Sequence, residues 1–213
     1  GIILGSVGVS RPAGQATPLE LSLATNSLIE KYKKFVKLMH ANNCKVIAQI
    51  KHGGTKAAYA ASIGVPFLVP SMKEMSPRDI EYGKSMVEKL TPIEMNEFVS
   101  NLKGAGNFKA MNQEDIEKVI EQFRDAAERA FKANLDGIEI HAGHGYIISS
   151  FLSRATNLRT DQYGGSLKNR MRLLDEIIDA IRTKVPRNFP VIVRLDGEEI
   201  NIKNGLTSTE VCE

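Results

Sequence analysis

Residues 112–141 read NQEDIEKVIEQFRDAAERAFKANLDGIEIH, and the apolar period within them changes once. As far as Asn134, the residues Ile116, Val119, Ile120, Phe123, Ala127 and Ala130 recur every three or four positions, the stripe of an amphipathic helix. Glu114 and Asp115 fall in its first turn, where free backbone N–H groups favour negative charge. From Gly137 the period becomes two. Ile138 and Ile140 share one face and Glu139 and His141 the other, so GIEIH reads as a strand.

The same alternation continues outward. Upstream, residues 45–50 (KVIAQI) form a strand ended by Gly53 and Gly54. Before it, residues 26–41 place Leu28, Tyr32, Phe35, Val36 and Met39 at helical spacing, and residues 1–9 (GIILGSVGV) form an apolar strand ahead of the breaker-rich RPAGQATP. Downstream, residues 167–185 repeat the helical stripe with Met171, Leu174, Ile178 and Ile181 until Pro186 stops it. Residues 191–195 (VIVRL) are the next strand, and the Thr207 hydroxyl caps a further helix. Strands alternating with helices predict an α/β chain with a parallel sheet, either open and doubly wound or part of a (β/α)8 barrel. A complete barrel takes about 250 residues, so four such units in 213 residues amount to roughly half of one. One connection is anomalous: residues 62–111 far exceed the usual loop length. They read as an inserted excursion containing a helix that opens at Thr91 and Pro92 and continues through Ile93, Met95, Phe98, Val99 and Leu102.

Composition excludes several classes. The net charge of +3 comes from scattered basic residues, with no stripe suited to nucleic acid or an anionic membrane. No apolar run reaches the roughly 18 residues of a membrane span. Cys44 and Cys212 are the only cysteines, which supports neither a disulfide framework nor a thiolate metal cluster. A cytoplasmic protein is expected. The chain opens on Gly1 and runs straight into an apolar strand, as a sequence does when its beginning has been removed.

Chemistry is expected where the strands end. The strand at 45–50 offers Gln49 and then His52. GIEIH offers Glu139 and His141, followed by His144 and Tyr146. VIVRL offers Arg194 and then Asp196. Alternation sends these groups toward a shared interior, where a buried Arg or Gln costs several kcal/mol unless paired. Either a polar ligand or an internal Glu139–Arg194 salt bridge would meet that need. In HAGHGY (141–146), two imidazoles three residues apart can aim N–H groups at one oxygen and polarise a carbonyl. The phenol of Tyr146 can deliver a proton to a neighbouring carbon. His141, His144 and His52 would also serve as metal ligands.

The run 136–170, DGIEIHAGHGYIISSFLSRATNLRTDQYGGSLKNR, closely resembles the signature block of Old Yellow Enzyme and the related NADH:flavin oxidoreductases and 2,4-dienoyl-CoA reductases. AQIKHGG (48–54) and VIVRLDGEE (191–199) resemble that family's motifs at barrel strands three and five, in the same order. The resemblance implies about strands 2 to 5 of a (β/α)8 barrel, with FMN at the C-terminal ends of the strands and NADH or NADPH as reductant. It implies Gln49 at the flavin's pyrimidine edge, Arg194 beside N1 and O2, and Ser6 near a backbone contact to the flavin. His141 and His144 would bind the activating oxygen of a small-molecule substrate, an alkene conjugated to a carbonyl, and Tyr146 would deliver the proton. Arg159, Asp161, Tyr163, Gly164, Gly165, Asn169 and Arg170 match an architectural segment. Thr55, Arg154 and Lys168 depart from the family's usual arginine, proline and glutamate. The family's first strand and its phosphate-binding loops after strands seven and eight have no counterpart here, so FMN is expected in a full-length protein rather than in this stretch alone. Assembly into a homo-oligomer stays open, as do two other classes: a truncated half-barrel without catalysis, and a metal-dependent lyase or hydrolase on the same fold.

Overall fold

The computed structural model describes residues 1–72, 91–92, 107–200 and 202–213. Its elements are β1 (Ile2–Gly8), α1 (Ile29–Ala41), β2 (Val46–Lys51), α2 (Ala58–Ser62), β3 (Phe67–Val69), β4 (Phe108–Ala110), α3 (Gln113–Lys132), β5 (Gly137–Ala142), α4 (Ile147–Leu152), α5 (Leu167–Arg182), β6 (Val191–Leu195) and α6 (Ser208–Cys212). Four strands form one parallel sheet in the order β1-β2-β5-β6.

Each helix forms where the sequence places an apolar stripe and a cap. The side chain of Asn112 accepts from the Asp115 N–H, and Asp115 answers the Asn112 N–H, closing a capping box at the start of α3. The face bearing Ile116, Val119, Phe123, Ala127 and Ala130 is buried, with Ile120 at its margin. Phe123 is wholly enclosed; truncating such a residue to Ala costs about 3–5 kcal/mol. In α5 the buried face is rotated from the expected one. Leu173, Leu174, Ile177 and Ile181 are covered, while Met171 and Ile178 are partly exposed. Arg170 is the cause, because its guanidinium is buried against the Leu152 carbonyl, the Gly165 carbonyl and the Glu210 carboxylate, and so draws its own side of the helix inward. Thr207 caps α6 as expected, its hydroxyl accepting from the Glu210 N–H.

Register decides which side chains meet. Across the sheet, Gln49 lies beside Glu139 and Glu139 beside Ile192, while His141 lies beside Arg194. Parallel neighbours in register project to the same face, so these residues share the side of the sheet opposite Val46, Ala48, Ile50, Ile138 and Ile140. That second set is fully buried against the helices.

The excursion leaves the sheet after α2 and returns before α3. Its described ends pair as β3 and β4, with Phe67 and Phe108 stacked at 5.2 Å. Beyond Thr91 and Pro92, the expected helix lies outside the described residues. Arg159 fastens both ends, donating to the carbonyls of Pro70 at 2.7 Å and Met111 at 2.6 Å. Its other edge meets Asp161, and Phe151 and Tyr163 flank it. The Gly164–Gly165 turn that follows is held by Asn169 and Arg170 through its two carbonyls.

Candidate active site

The strand ends bring Gln49, Glu139, His141 and Arg194 to one face of the sheet. Gln49 and Glu139 are 7% and 8% exposed, and the Gln49 amide donates to the Glu139 carboxylate at 2.5 Å. Among the described residues no ion pair joins Glu139 to Arg194. The buried carboxylate is partnered by the amide instead, and Arg194 is exposed with no described partner.

HAGHGY folds as a turn stapled from the next strand. His144 and Gly145 both adopt left-handed backbone conformations, with φ of 58° and 73°. The His144 N–H donates to both carboxylate oxygens of Asp196, at 3.0 and 2.8 Å. Ser149 ties the same knot, its hydroxyl donating to Asp196 at 3.4 Å and accepting from the Gly145 N–H at 3.1 Å. Gly143 must lack a side chain here, because a Cβ would stand 2.7 Å from Asp196 Oδ1. From the other side, the hydroxyls of Thr55 and Ser150 donate to the Gly145 carbonyl at 3.2 and 3.3 Å. The departure at Thr55 therefore places a hydroxyl against the turn.

The two imidazoles are bonded to each other. His141 is 3% exposed, its Nδ1 accepts the Gly143 N–H at 3.2 Å, and its Nε2 lies 3.1 Å from His144 Nδ1. A ring nitrogen that accepts carries no proton, so His141 bears its hydrogen on Nε2 and donates it to His144. His144 then carries its own hydrogen on Nε2, 3.9 Å from Asp196. Burial, helped by the neighbouring His144 and Arg194, pushes the His141 pKa down to about 4, so this ring is neutral at pH 7. Where the spacing suggested two N–H groups on one oxygen, the resting pair presents one, because the second is spent between the rings.

Tyr146 caps α4 with its ring edge-on to His141, centroids 4.7 Å apart. Among the described residues its hydroxyl has no hydrogen-bond partner. The ammonium of Lys51 lies 5.3 Å from the Tyr146 ring centroid. Lys51 is wholly buried and held by Glu20, at 2.9 and 3.1 Å, and by the Gly14 carbonyl at 3.2 Å. Sequence reasoning missed this pair. Strand alternation puts Lys51 on the same side as Gln49 and was signal enough, but nothing in the sequence tied it to Glu20.

His52, counted as a candidate metal ligand, is fully enclosed, with Nδ1 accepting from the Gly54 N–H at 3.2 Å and Nε2 without a described partner. No group of three or more His, Cys, Asp or Glu among the described residues is arranged to hold a metal ion. Ser6 sits half-buried in the irregularity of β1, where pairing with β2 breaks between Leu4 and Val7.

The sequence profile of the NADH:flavin oxidoreductase / NADH oxidase family matches residues 1–213. An NADPH dehydrogenase of Halalkalibacterium halodurans is 36% identical over 199 residues, covering 93% of this chain and 49% of that protein. An NADH:flavin oxidoreductase of Gibberella zeae is 34% identical over 186 residues, covering 87% of this chain and 42% of its own length. Among solved structures, the Old Yellow Enzyme from Pichia sp. AKU4542 superposes with a TM-score of 0.73 at 28% identity, over 91% of this chain and 46% of that one. The chain thus spans about half the length of the relatives it matches, and its four parallel βα units are part of a (β/α)8 barrel. With its whole length accounted for by the family profile, and its strand-end groups gathered on one side of that half-barrel, the chain belongs to the NADH:flavin oxidoreductase / NADH oxidase family.

Proposed function

We propose that this chain supplies the substrate-activating half of an FMN-dependent NAD(P)H oxidoreductase that reduces alkenes conjugated to a carbonyl. The observation that carries the reading is the hydrogen-bonded His141–His144 pair, with the Tyr146 ring against it, at the same strand ends as Arg194, which has no partner among the described residues. Residues 1–213 are read as part of one barrel, with about 62–111 as an insertion in it.

The residues present suit FMN. Gln49 offers an amide to a heterocycle edge that both donates and accepts, and Arg194 offers an uncommitted cation where negative charge develops on reduction. Ser6, in the irregular part of β1, is the third candidate contact. When bound, FMN supplies the hydride chemistry, with NADH or NADPH as the source of electrons.

The chain's own residues then handle oxygen and proton. A substrate carbonyl entering between the imidazoles takes the His141 Nε2–H in place of the 3.1 Å contact with His144. His144, whose side chain is 56% exposed, turns its N–H to the same atom. Two donors on one oxygen stabilise the charge that grows there. Because His141 is neutral, it holds that oxygen without giving up a proton. Tyr146, with its hydroxyl uncommitted, supplies the proton to the adjacent carbon. Among the described residues no helix is long and apolar enough to cross a membrane, and a small-molecule substrate is the expected partner.

The test is the full-length protein purified under native conditions. It is expected to be yellow, to release FMN on denaturation, and to be reoxidised by an enone after reduction with NAD(P)H. A colourless protein that takes up no FMN would refute the reading. A stoichiometric metal bound through His141 and His144 would replace it with metal-assisted chemistry.

A further inference from the structure

We infer that Glu139 is a positioning residue, which fixes the orientation of the Gln49 amide and places a negative charge one hydrogen bond behind it. The inference rests on the proposed role of Gln49 at FMN.

Gln49 and Glu139 are register partners on adjacent strands, and both are more than nine-tenths buried. An ionised carboxylate has lone pairs and no hydrogen to give, so the amide can face it only through nitrogen. The 2.5 Å contact from Nε2 to the Glu139 carboxylate is that arrangement. Carboxamides can turn over at little cost when both neighbours accept and donate equally. Glu139 removes that freedom.

The amide oxygen is thereby directed to β1, where Gly5 leaves it room: a Cβ at Gly5 would stand 3.2 Å from Gln49 Oε1. Oε1 has no described donor, and one hydrogen of Nε2 is also free of described partners. Gln49 thus presents one acceptor and one donor in fixed order, a pattern that matches a ring N–H beside a ring carbonyl. Glu139 has Gln49 and Ile192 as its register partners on the packed strands, while His141, two residues on in its own strand and neutral, is paired with Arg194. Arg194, exposed and without a described partner, is a cation on that face that the flavin itself would engage, whereas Lys51 is already held by Glu20. The carboxylate then disfavours additional negative charge at the pyrimidine edge, tuning the bound flavin toward its oxidised form.

Glu139→Gln in the full-length protein separates this role from simple packing. It keeps shape and hydrogen bonding, removes the charge and lets both amides turn over. Dissociation constants for oxidised and reduced FMN, and the midpoint potential of the bound flavin, are the readouts. Oxidised FMN is expected to bind about tenfold more weakly, while the affinity for reduced FMN is nearly unchanged. The lost orientation weakens both, but the lost charge favours the reduced form. That tenfold difference is a rise of about 30 mV for a two-electron couple. In a Gln49→Ala background, Glu139→Gln should add no further loss of affinity for oxidised FMN. Should Glu139→Gln fail to fold, Glu139→Asp carries the affinity arm: it keeps the charge, shortens the reach, and should weaken oxidised FMN without raising the potential. A yellow wild-type protein whose variants keep both affinities within twofold would overturn the inference and leave the proposed function standing. A wild-type protein that binds no FMN would overturn both.

Discussion

Asp196→Ala should loosen the oxygen site without touching either imidazole. Asp196 holds the His144 N–H through two contacts of 2.8 and 3.0 Å, and accepts from Ser149 at 3.4 Å. Hydrogen bonds to a charged group contribute about 1.5–3 kcal/mol each. Here water can replace part of that, because the Asp196 and His144 side chains are 22% and 56% exposed, so the lower end applies. His144 also sits at φ 58°, a conformation that costs a non-glycine residue about 1 kcal/mol unless its surroundings hold it. Once the carboxylate is removed, the turn relaxes toward ordinary backbone and His144 leaves the partner position. A loss of about 1.5–2 kcal/mol in oxygen binding corresponds to a 10- to 30-fold weaker ligand. The assay is titration of the flavin absorbance of the full-length protein with a phenol, whose oxygen mimics the charge that develops on the substrate. Asp196→Asn keeps one acceptor and should fall between wild type and Ala. Gly143→Ala should act in the same direction, since its Cβ would stand 2.7 Å from the same carboxylate. Phenol affinity within twofold of wild type in Asp196→Ala would show that the staple does not position His144.

Three further outcomes are expected. Tyr146→Phe should leave flavin reduction by NAD(P)H nearly unchanged and slow reoxidation by an enone about 100-fold or more; rapid-mixing kinetics showing an unchanged oxidative rate would remove Tyr146 as the proton donor. Glu20→Ala leaves the buried Lys51 ammonium with the Gly14 carbonyl as its one described hydrogen-bond acceptor and should cost about 3–5 kcal/mol, whereas the double change Lys51→Met with Glu20→Leu should cost less, because no uncompensated charge remains; equal urea midpoints for the two variants would contradict this. Burial lowers the His52 pKa to about 3 from 6.5, so the folded state resists protonation that the unfolded chain accepts. The stability His52 confers is complete above about pH 6.5 and falls as pH drops toward 3, by about 2 kcal/mol between pH 7 and 5. A His52→Gln variant with the same pH slope in urea unfolding would refute that assignment.

The sequence carried its alternation of periods openly. Three- and four-residue spacing at 112–134 and two-residue spacing at 137–141 were enough to set helix, strand and the two faces of each, because burial on one side selects side chains position by position. The family motifs, quoted from the same residues, named the barrel that spacing alone had left beside a doubly wound sheet. The rotation of α5 was not legible, since it follows from where the Arg170 guanidinium finds three acceptors, and those lie in other elements. In the site, residue types pointed to His141, His144, Tyr146, Gln49 and Arg194; strand parity set Gln49, His141 and Arg194 on one side, and the HAGHGY turn carried His144 and Tyr146. Tertiary structure alone decided the bonding among them. Glu139 took Gln49 as partner rather than Arg194 because register sets the amide directly beside it. The imidazoles bonded to each other because Gly143 N–H occupies His141 Nδ1 and fixes the tautomer. Asp196, separated from His144 by 52 residues, became the anchor of its turn. Contacts between residues so far apart in the chain leave no period in the sequence. They depend on which strands lie side by side and in what register.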